Sequence, residues 1–292
     1  MTFWSPSGRT VVCGIIGDPI EHTLSPVMHN AAFRDKGIDY LYLPFRVKSE
    51  RVGEAVVGMK ALNIKGLNVT IPHKVTVMKY LDKIDSVAEK IGAVNTIVNG
   101  NDVLTGYNTD ASGFLQALLD RGIDPAGKKV VILGAGGASR AISFILAERG
   151  AYLTIFNRAV NFKRVKDLAD RISQISTSEI QALELNRENL ERVLDDADIL
   201  VNATSVGMSP DINETPVAYG LLKSGLVVFD IIYNPVKTRL IKEAEMAGAI
   251  TINGIDMLVW QGALAFEKWT EQKAPVNLMK IEVTKALEGN EK

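Results

Sequence analysis

The chain has little of what several function classes require. Of its 292 residues one is cysteine, Cys13, and three are histidine, His22, His29 and His73. A single cysteine cannot close an intrachain disulfide, which suits a reducing compartment, and so few soft ligands offer no obvious metal cage. An excess of one charge is missing too: 33 Lys and Arg stand against 34 Asp and Glu, a formal net charge of -1. That balance excludes a globally basic binder of nucleic acid. No apolar run approaches the ~20 residues of a membrane span. Residues 1–13 hold one arginine and no apolar stretch of leader type, so no signal peptide is expected. Internal repeats and low-complexity stretches are absent as well. What remains is a chain 47% apolar and 23% charged, long enough that two cores are the prior. A cytoplasmic globular protein is expected.

Apolar runs alternate with amphipathic stretches. In the first half, strands are expected at 11–16, 40–47 and 66–71, with helices opening at Ser25-Pro26, over 50–62 and from Pro72 to about residue 88. A hairpin follows, with strands 94–98 and 103–107 turning at Asn99-Gly100. This pattern favours a mostly parallel sheet covered by helices, the hairpin forming an antiparallel edge. The second half opens with a helix over 111–121 stopped by Gly122, then strand 129–133, helix 138–149 stopped by Gly150, strand 152–156 and helix 162–172. Further strands are expected at 180–185, 199–203, 226–232 and 249–252, and helices at 257–272 and 276–287. The last helices are expected to return to the first domain. The domains are then 1–110, completed by about 258–292, and 111–257.

Strand 129–133 runs straight into Gly134-Ala135-Gly136-Gly137-Ala138-Ser139-Arg140-Ala141. A glycine turn between a buried strand and a helix lets backbone approach a pyrophosphate at the helix N-terminus. The turn is equally compatible with a plain tight corner, since a lone glycine triplet is a weak signal. The end of the next strand adds to it. There, where an acidic residue would hold the ribose of NAD, stands Asn157-Arg158-Ala159, with Lys163 and Arg164 beyond. A guanidinium suits a 2′-phosphate, so NADP is favoured over NAD. For Lys163 and Arg164 a solvated helix face is the competing reading.

In the first half, Asn68-Val69-Thr70-Ile71-Pro72-His73-Lys74 places Asn68 and Thr70 on one side of a strand. It also sets Lys74 near the start of the expected helix, whose dipole disfavours a cation and should depress the amine's pKa, and a lysine that simply reaches to water is the equal alternative. Asp110 serves equally as a helix N-cap or as a site carboxylate, and Ser25 as an ordinary Ser-Pro helix start or, with Thr23, as a carboxylate receptor. Asn95 interrupts an apolar strand, and Gln261 shares a helix stripe with Met257, Leu264 and Ala265. Hydroxyls, amides, one amine and one carboxylate suit a small polyhydroxy acid.

Taken in order, these segments resemble the shikimate dehydrogenase family. The match runs through Gly17-Asp-Pro-Ile-Glu-His-Thr-Leu-Ser-Pro26, Asn68–Lys74, Gly92-Ala-Val-Asn-Thr96, Gly106-Tyr-Asn-Thr-Asp110 and Gly134-Ala-Gly-Gly-Ala138. It continues through Asn157-Arg158, Asn202-Ala-Thr-Ser-Val-Gly-Met208, Asp230-Ile-Ile-Tyr-Asn-Pro235 and Gly254-Ile-Asp-Met-Leu-Val-Trp-Gln261. The resemblance implies an N-terminal α/β substrate domain, a Rossmann-type parallel-sheet NADP domain and C-terminal helices packed on the first. It implies reversible NADPH-dependent reduction of 3-dehydroshikimate to shikimate, in aromatic amino acid biosynthesis. Lys74 and Asp110 match the catalytic pair. Thr23 and Ser25 match the carboxylate hydroxyls, and Asn68, Thr70, Asn95, Asp110 and Gln261 the ring-hydroxyl ligands, with Tyr233 nearby. Gly134, Ala135, Gly136, Gly137, Ala138, Asn157, Arg158, Lys163, Thr204, Ile231, Gly254 and Met257 match the cofactor contacts. No metal is implied, and the partner is a small molecule, not nucleic acid or membrane, with a homodimer as the candidate assembly and the oligomeric state left open.

Three positions depart from the family pattern. Thr23 stands where Ser is usual, Ala159 where Thr is common, and Lys163 sits one residue late, which leaves Arg158 the firmer phosphate ligand. Residues 1–10 lie outside the resemblance. Two rivals remain: a quinate/shikimate dehydrogenase of broader acid and NAD(P) specificity, and a non-catalytic ligand sensor, which the presence of both Lys74 and Asp110 disfavours.

Overall fold

A computed structural model describes residues 5–290. The chain forms two compact units, one of the described residues up to Thr109 with those from Val259 onward, the other Asp110–Leu258. In the first unit the elements are β1 (Val11–Gly17), α1 (Ser25–Asp35), β2 (Tyr40–Arg46), α2 (Val52–Ala61), β3 (Gly66–Val69), β4 (Lys83–Ile84), α3 (Ser86–Ile91), β5 (Thr96–Gly100) and β6 (Val103–Tyr107). Its sheet runs β2-β1-β3-β5-β6-β4. β1 is parallel to β2 and β3, β5 is antiparallel to both its neighbours, and β4 is parallel to β6. The hairpin is therefore not the edge of the sheet, because β4 covers it.

Two expectations fail here. The helix expected from Pro72 breaks into a turn closed by the His73 N–H donating to the Thr70 carbonyl (2.9 Å), a short 3-10 helix over Thr76–Tyr80, β4 and α3. Val75, Thr76 and Val77 are β-branched and helix-averse. Asp82 then pairs with the hairpin through the Leu104 N–H (2.7 Å to its carboxylate), and Asp85 caps α3 at Val87 (3.0 Å). Tertiary pairing thus overrides the helical pattern, and the helix dipole expected to act on Lys74 has no helix behind it. The hairpin turns at Asn101-Asp102, not Asn99-Gly100; both have positive φ, 51° and 63°. Asn and Asp tolerate that region, which a two-residue hairpin turn needs. Asn99 stays in β5, and its side chain accepts from the Asp102 N–H (3.1 Å).

The second unit holds α4 (Asp110–Leu119), β7 (Lys129–Leu133), α5 (Gly137–Glu148), β8 (Tyr152–Asn157), α6 (Phe162–Ser173), β9 (Ile180–Glu184), α7 (Arg187–Leu194), β10 (Ile199–Asn202), β11 (Val227–Asp230), α8 (Arg239–Met246), β12 (Ile250–Ile252) and the start of α9 (Gly254–Thr270). Its sheet runs β12-β11-β10-β7-β8-β9, all parallel. That is a doubly wound order, and it reverses between β7 and β10, where such sheets open a crevice at the carboxyl ends of the strands. β10 and β11 are buried along their whole length, and β7 from Val130 on. α7 and α8 were not expected; each starts at a side-chain cap, Asn186 accepting from Asn189 (2.9 Å) and Thr238 from Ile241 (3.2 Å).

The rest of α9 and α10 (Val276–Asn290) complete the first unit. Trp269 lies across the bare Cα of Gly66, where any Cβ would collide with the indole, and its Nε1–H donates to the Ile97 carbonyl (3.0 Å). Phe266 stacks on Phe33 of α1 with ring centroids 5.4 Å apart. The C-terminal helices therefore pack on the first unit, as expected.

Candidate active site

In the first unit, neutral polar side chains interlock at the end of the sheet. Asn68, buried on β3, accepts from the Tyr42 hydroxyl (2.7 Å) and donates to Thr96 Oγ1 (3.1 Å) and the Asn95 carbonyl (3.3 Å). Asn95 Oδ1 accepts from the Thr109 N–H (2.7 Å) and Thr96 Oγ1 (3.0 Å), while its Nδ2 donates to Thr109 Oγ1 (2.9 Å) and Gln261 Oε1 (3.4 Å). The Lys74 carbonyl accepts from the Val94 N–H (2.8 Å), which sets its backbone beside this cluster. Asp110, buried, is the next residue after Thr109 and the first of α4.

The turn from Gly17 to Ser25 lies against Thr70 and Ile71, just beyond β3. Gly17 packs on the Thr70 side chain so closely that a Cβ would clash, and the Asp18 N–H donates to the Ile71 carbonyl (3.0 Å). Ser25 is buried at the start of α1, and its N–H donates to Thr23 Oγ1 (3.3 Å). Beside Asn68 lies His29, which the sequence reading passed over. It stacks on Tyr42 (centroids 4.4 Å), faces Trp269 (5.2 Å), and neither ring nitrogen has a hydrogen bond. Burial pushes the imidazole down to about 3. It is a neutral aromatic plug.

In the second unit the glycine turn sits at the topological switch. Gly134 has φ 108°, and a Cβ there would lie 2.8 Å from the Ala203 carbonyl. Only glycine allows the chain to turn so close to the end of β10. Ser139 Oγ ties the turn by donating to the Gly134 carbonyl (2.6 Å). α5 begins at Gly137 with Gly136 as a cap that has no side chain, so Ala135, Gly136, Gly137 and Ala138 present backbone at a helix N-terminus. At the end of β8 the Asn157 side chain accepts from the Arg158 N–H (2.9 Å), and Arg158 and Lys163 are exposed. Burial lowers the pKa of Arg140, half-buried in the first turn of α5, and nearby Arg171 and Arg164 add to this while Asp167 opposes it.

A second network, also unforeseen, links the ends of β10 and β11. Asn202 Oδ1 accepts from Thr204 Oγ1 (2.7 Å) and N–H (3.1 Å), and its Nδ2 donates to Asp230 Oδ1 (3.1 Å). Asp230 also accepts from the Ile232 N–H (3.1 Å) and Thr238 Oγ1 (2.7 Å). Burial pushes its carboxyl up to about 6 against these three bonds. Burial likewise raises the Tyr233 phenol. Gly254 opens α9 against this segment: its N–H donates to the Ile232 carbonyl (3.1 Å), and a Cβ would strike the Ile231 carbonyl. Met257 is buried within the first turn beyond. Polar residues closing apolar strands, Asn202 after 199–201 and Asp230 after 227–229, carried the same signal as Asn95 and could have been found by it. The turn, the uncapped α5 and the basic residues after β8 fit a dinucleotide with a 2′-phosphate. Among the described residues no cluster of His, Cys, Asp and Glu could hold a metal, and no helix is long and apolar enough to cross a membrane.

Comparison with known proteins follows the same division. Residues 15–97 match the family model of the shikimate dehydrogenase substrate binding domain, 117–254 that of shikimate / quinate 5-dehydrogenase, and 254–280 that of the shikimate 5′-dehydrogenase C-terminal domain. The shikimate dehydrogenase (NADP(+)) of Dehalococcoides mccartyi is 49% identical over 279 residues, 96% of this chain and 97% of that one. A crystal structure of a shikimate dehydrogenase in complex with NADP+ superposes with a TM-score of 0.90 at 42% identity, covering 97% of this chain and 98% of the other. The shikimate 5-dehydrogenase of Listeria monocytogenes, in complex with shikimate and NAD, gives a TM-score of 0.89 at 41% identity, over 94% and 97%.

Proposed function

The chain belongs to the shikimate dehydrogenase family, and from that premise we propose that it reduces 3-dehydroshikimate reversibly to shikimate with NADPH, Lys74 and Asp110 handling the proton. Bound NADPH supplies the hydride. As an ammonium, Lys74 stabilises the carbonyl oxygen on which negative charge grows and donates the proton to it; as a neutral amine it takes that proton back in the reverse direction. Asp110 orients the amine and a ring hydroxyl. Thr23 and Ser25 receive the substrate carboxylate, and Asn68, Thr70, Asn95 and Gln261 meet the ring hydroxyls, joined by Tyr233. The glycine turn and the start of α5 hold the pyrophosphate, and Asn157, Arg158 and Lys163 the 2′-phosphate. Thr204, Ile231, Gly254 and Met257 flank the remainder of the dinucleotide.

The observation that carries this reading is the hydrogen-bond chain through Val94, Asn95 and Thr109. It sets the backbones of Lys74 and Thr109 at one end of the first sheet, with Asp110 the next residue in the chain. A broader quinate/shikimate enzyme using NAD is the second reading, because the model matched over 117–254 covers quinate enzymes as well. Arg158 at the end of β8, where NAD-binding units place a carboxylate, favours NADP. Initial rates at 340 nm with each acid and each cofactor test the choice. The expected result is a kcat/KM for shikimate with NADP+ about tenfold or more above quinate or NAD+. Equal values for the two acids or the two cofactors would favour the broader enzyme.

A further inference from the structure

We infer that Asp230 is a positioning residue for the dinucleotide: its buried carboxylate holds together the two loops, 203–208 and 231–238, that carry Thr204, Ile231 and Tyr233. This rests on the NADP reading above. The bonds run outward from one side chain. Asp230 Oδ1 accepts from the Ile232 N–H (3.1 Å), between Ile231 and Tyr233 in the chain, and Oδ2 accepts from Thr238 at the far end of that loop (2.7 Å). Through Asn202 Nδ2 (3.1 Å) the same carboxylate orients an amide whose oxygen takes both the hydroxyl and the N–H of Thr204. Thr204 Oγ1 in turn accepts from the Val206 N–H (3.1 Å), which fixes the next two residues. Gly254 leans on the Ile231 and Ile232 backbone, so the start of α9 inherits the position of the loop.

Stability alone does not account for a carboxyl at this place. Burial pushes it up to about 6, which means that the folded environment disfavours its charge, and a buried ionisable group is poor evidence of net stabilisation. What an ionised carboxylate does, and an amide does not, is accept from all three donors at once without a hydrogen of its own to place. An asparagine at 230 would turn an N–H toward Thr238, whose oxygen already accepts from Ile241 (3.2 Å) as the cap of α8. The Thr238 hydroxyl would then lose its acceptor. The three donors come from β10, from the loop after β11 and from the N-terminus of α8, so the carboxylate is the one atom group they share.

The test uses the full chain with Asp230→Ala and Asp230→Asn, read by NADP+ titration calorimetry, by steady-state KM for NADP+ and for shikimate, and by hydrogen exchange in the absence of ligand. Asp230→Ala should weaken NADP+ about tenfold or more, a misplacement effect, while KM for shikimate, which depends on this loop through Tyr233 alone, rises by a smaller factor of about threefold. Exchange should quicken in 203–208 and 231–238 above all other segments. Asp230→Asn should fall between, and it carries the test if the alanine variant does not fold. Unchanged NADP+ affinity in a folded variant overturns the inference, as does an equal rise in both KM values or faster exchange spread over the whole second unit. A wild-type chain that fails to bind NADP+ contradicts the functional reading itself and removes this inference with it.

Discussion

The polar networks of the two units solve the same packing problem with opposite chemistry. In the first, Asn68, Asn95, Thr96 and Thr109 pass hydrogen bonds among neutral amides and hydroxyls. In the second, an ionisable carboxyl, Asp230, is the hub. A neutral network keeps its bonds at any ordinary pH, and in the proposed reaction it leaves the charged chemistry to other residues, Lys74 and Asp110. A carboxylate hub gathers more donors but exposes the fold to titration. The first unit also buries a titratable group, His29, in an aromatic stack with Tyr42 and Trp269.

The contrast is sharpest at the chemistry. Lys74→Ala should lower kcat by roughly 10²–10⁴ with little change in Tm, measured by steady-state rates and thermal unfolding. A variant with near-normal kcat would dissolve the division between neutral scaffold and charged residues. Next in size are two glycines on which other groups sit. Gly66→Ala forces Trp269 off β3 and Gly254→Ala forces α9 off the Ile231 carbonyl. Overpacking costs about 1–3 kcal/mol in each case, but the outcomes should differ. Gly66→Ala should appear mainly as a lower Tm, and Gly254→Ala mainly as weaker NADP+ binding. Equal loss of NADP+ affinity in both would blur the comparison.

The smallest effects are in pH. His29 has a folded value of about 3 against an ordinary 6.5, so below pH 6.5 the unfolded chain takes up a proton that the folded one refuses. Its contribution to stability is lost as pH falls from about 6.5 toward 3. Asp230 runs the other way. With a folded value of about 6 against 3.8, the folded chain keeps a proton that the unfolded one has released, so stability is lost as pH rises from about 4 through 6. Each slope reaches at most about 1.4 kcal/mol per pH unit, and between pH 4 and 6 the two oppose. Denaturant unfolding at several pH values should show His29→Gln gaining on the wild type as pH falls, and Asp230→Asn falling behind it. Differences that stay flat with pH would mean that neither group titrates with folding.

Where local pattern and tertiary pairing agree, the sequence was enough. The apolar runs of β7, β8, β10 and β11, the glycine stops at Gly122 and Gly150, both of positive φ, and the glycine turn after β7 all fall where periodicity and turn chemistry put them. Residues 72–88 were misread because the pairing of Asp82 with Leu104 is long-range and leaves no local trace. The hairpin turn slipped by two residues because Asn99-Gly100 and Asn101-Asp102 are both acceptable turn pairs, and only the strand register decides. α7 and α8 were legible in principle from Asn186 and Thr238, which cap them. Asn68, Asn95 and Gln261, chosen as polar residues on apolar elements, do meet through hydrogen bonds. Tyr42 and His29, which pack beside Asn68, could not be found that way, since an aromatic on a strand or helix reads as core.

The central claim is that Lys74 and Asp110 act as one unit on the substrate, and a double-mutant cycle on kcat tests it most directly. Residues that act together are strongly non-additive. The double variant Lys74→Ala with Asp110→Asn should therefore be about as slow as the slower single variant. Rate losses that multiply would contradict the account.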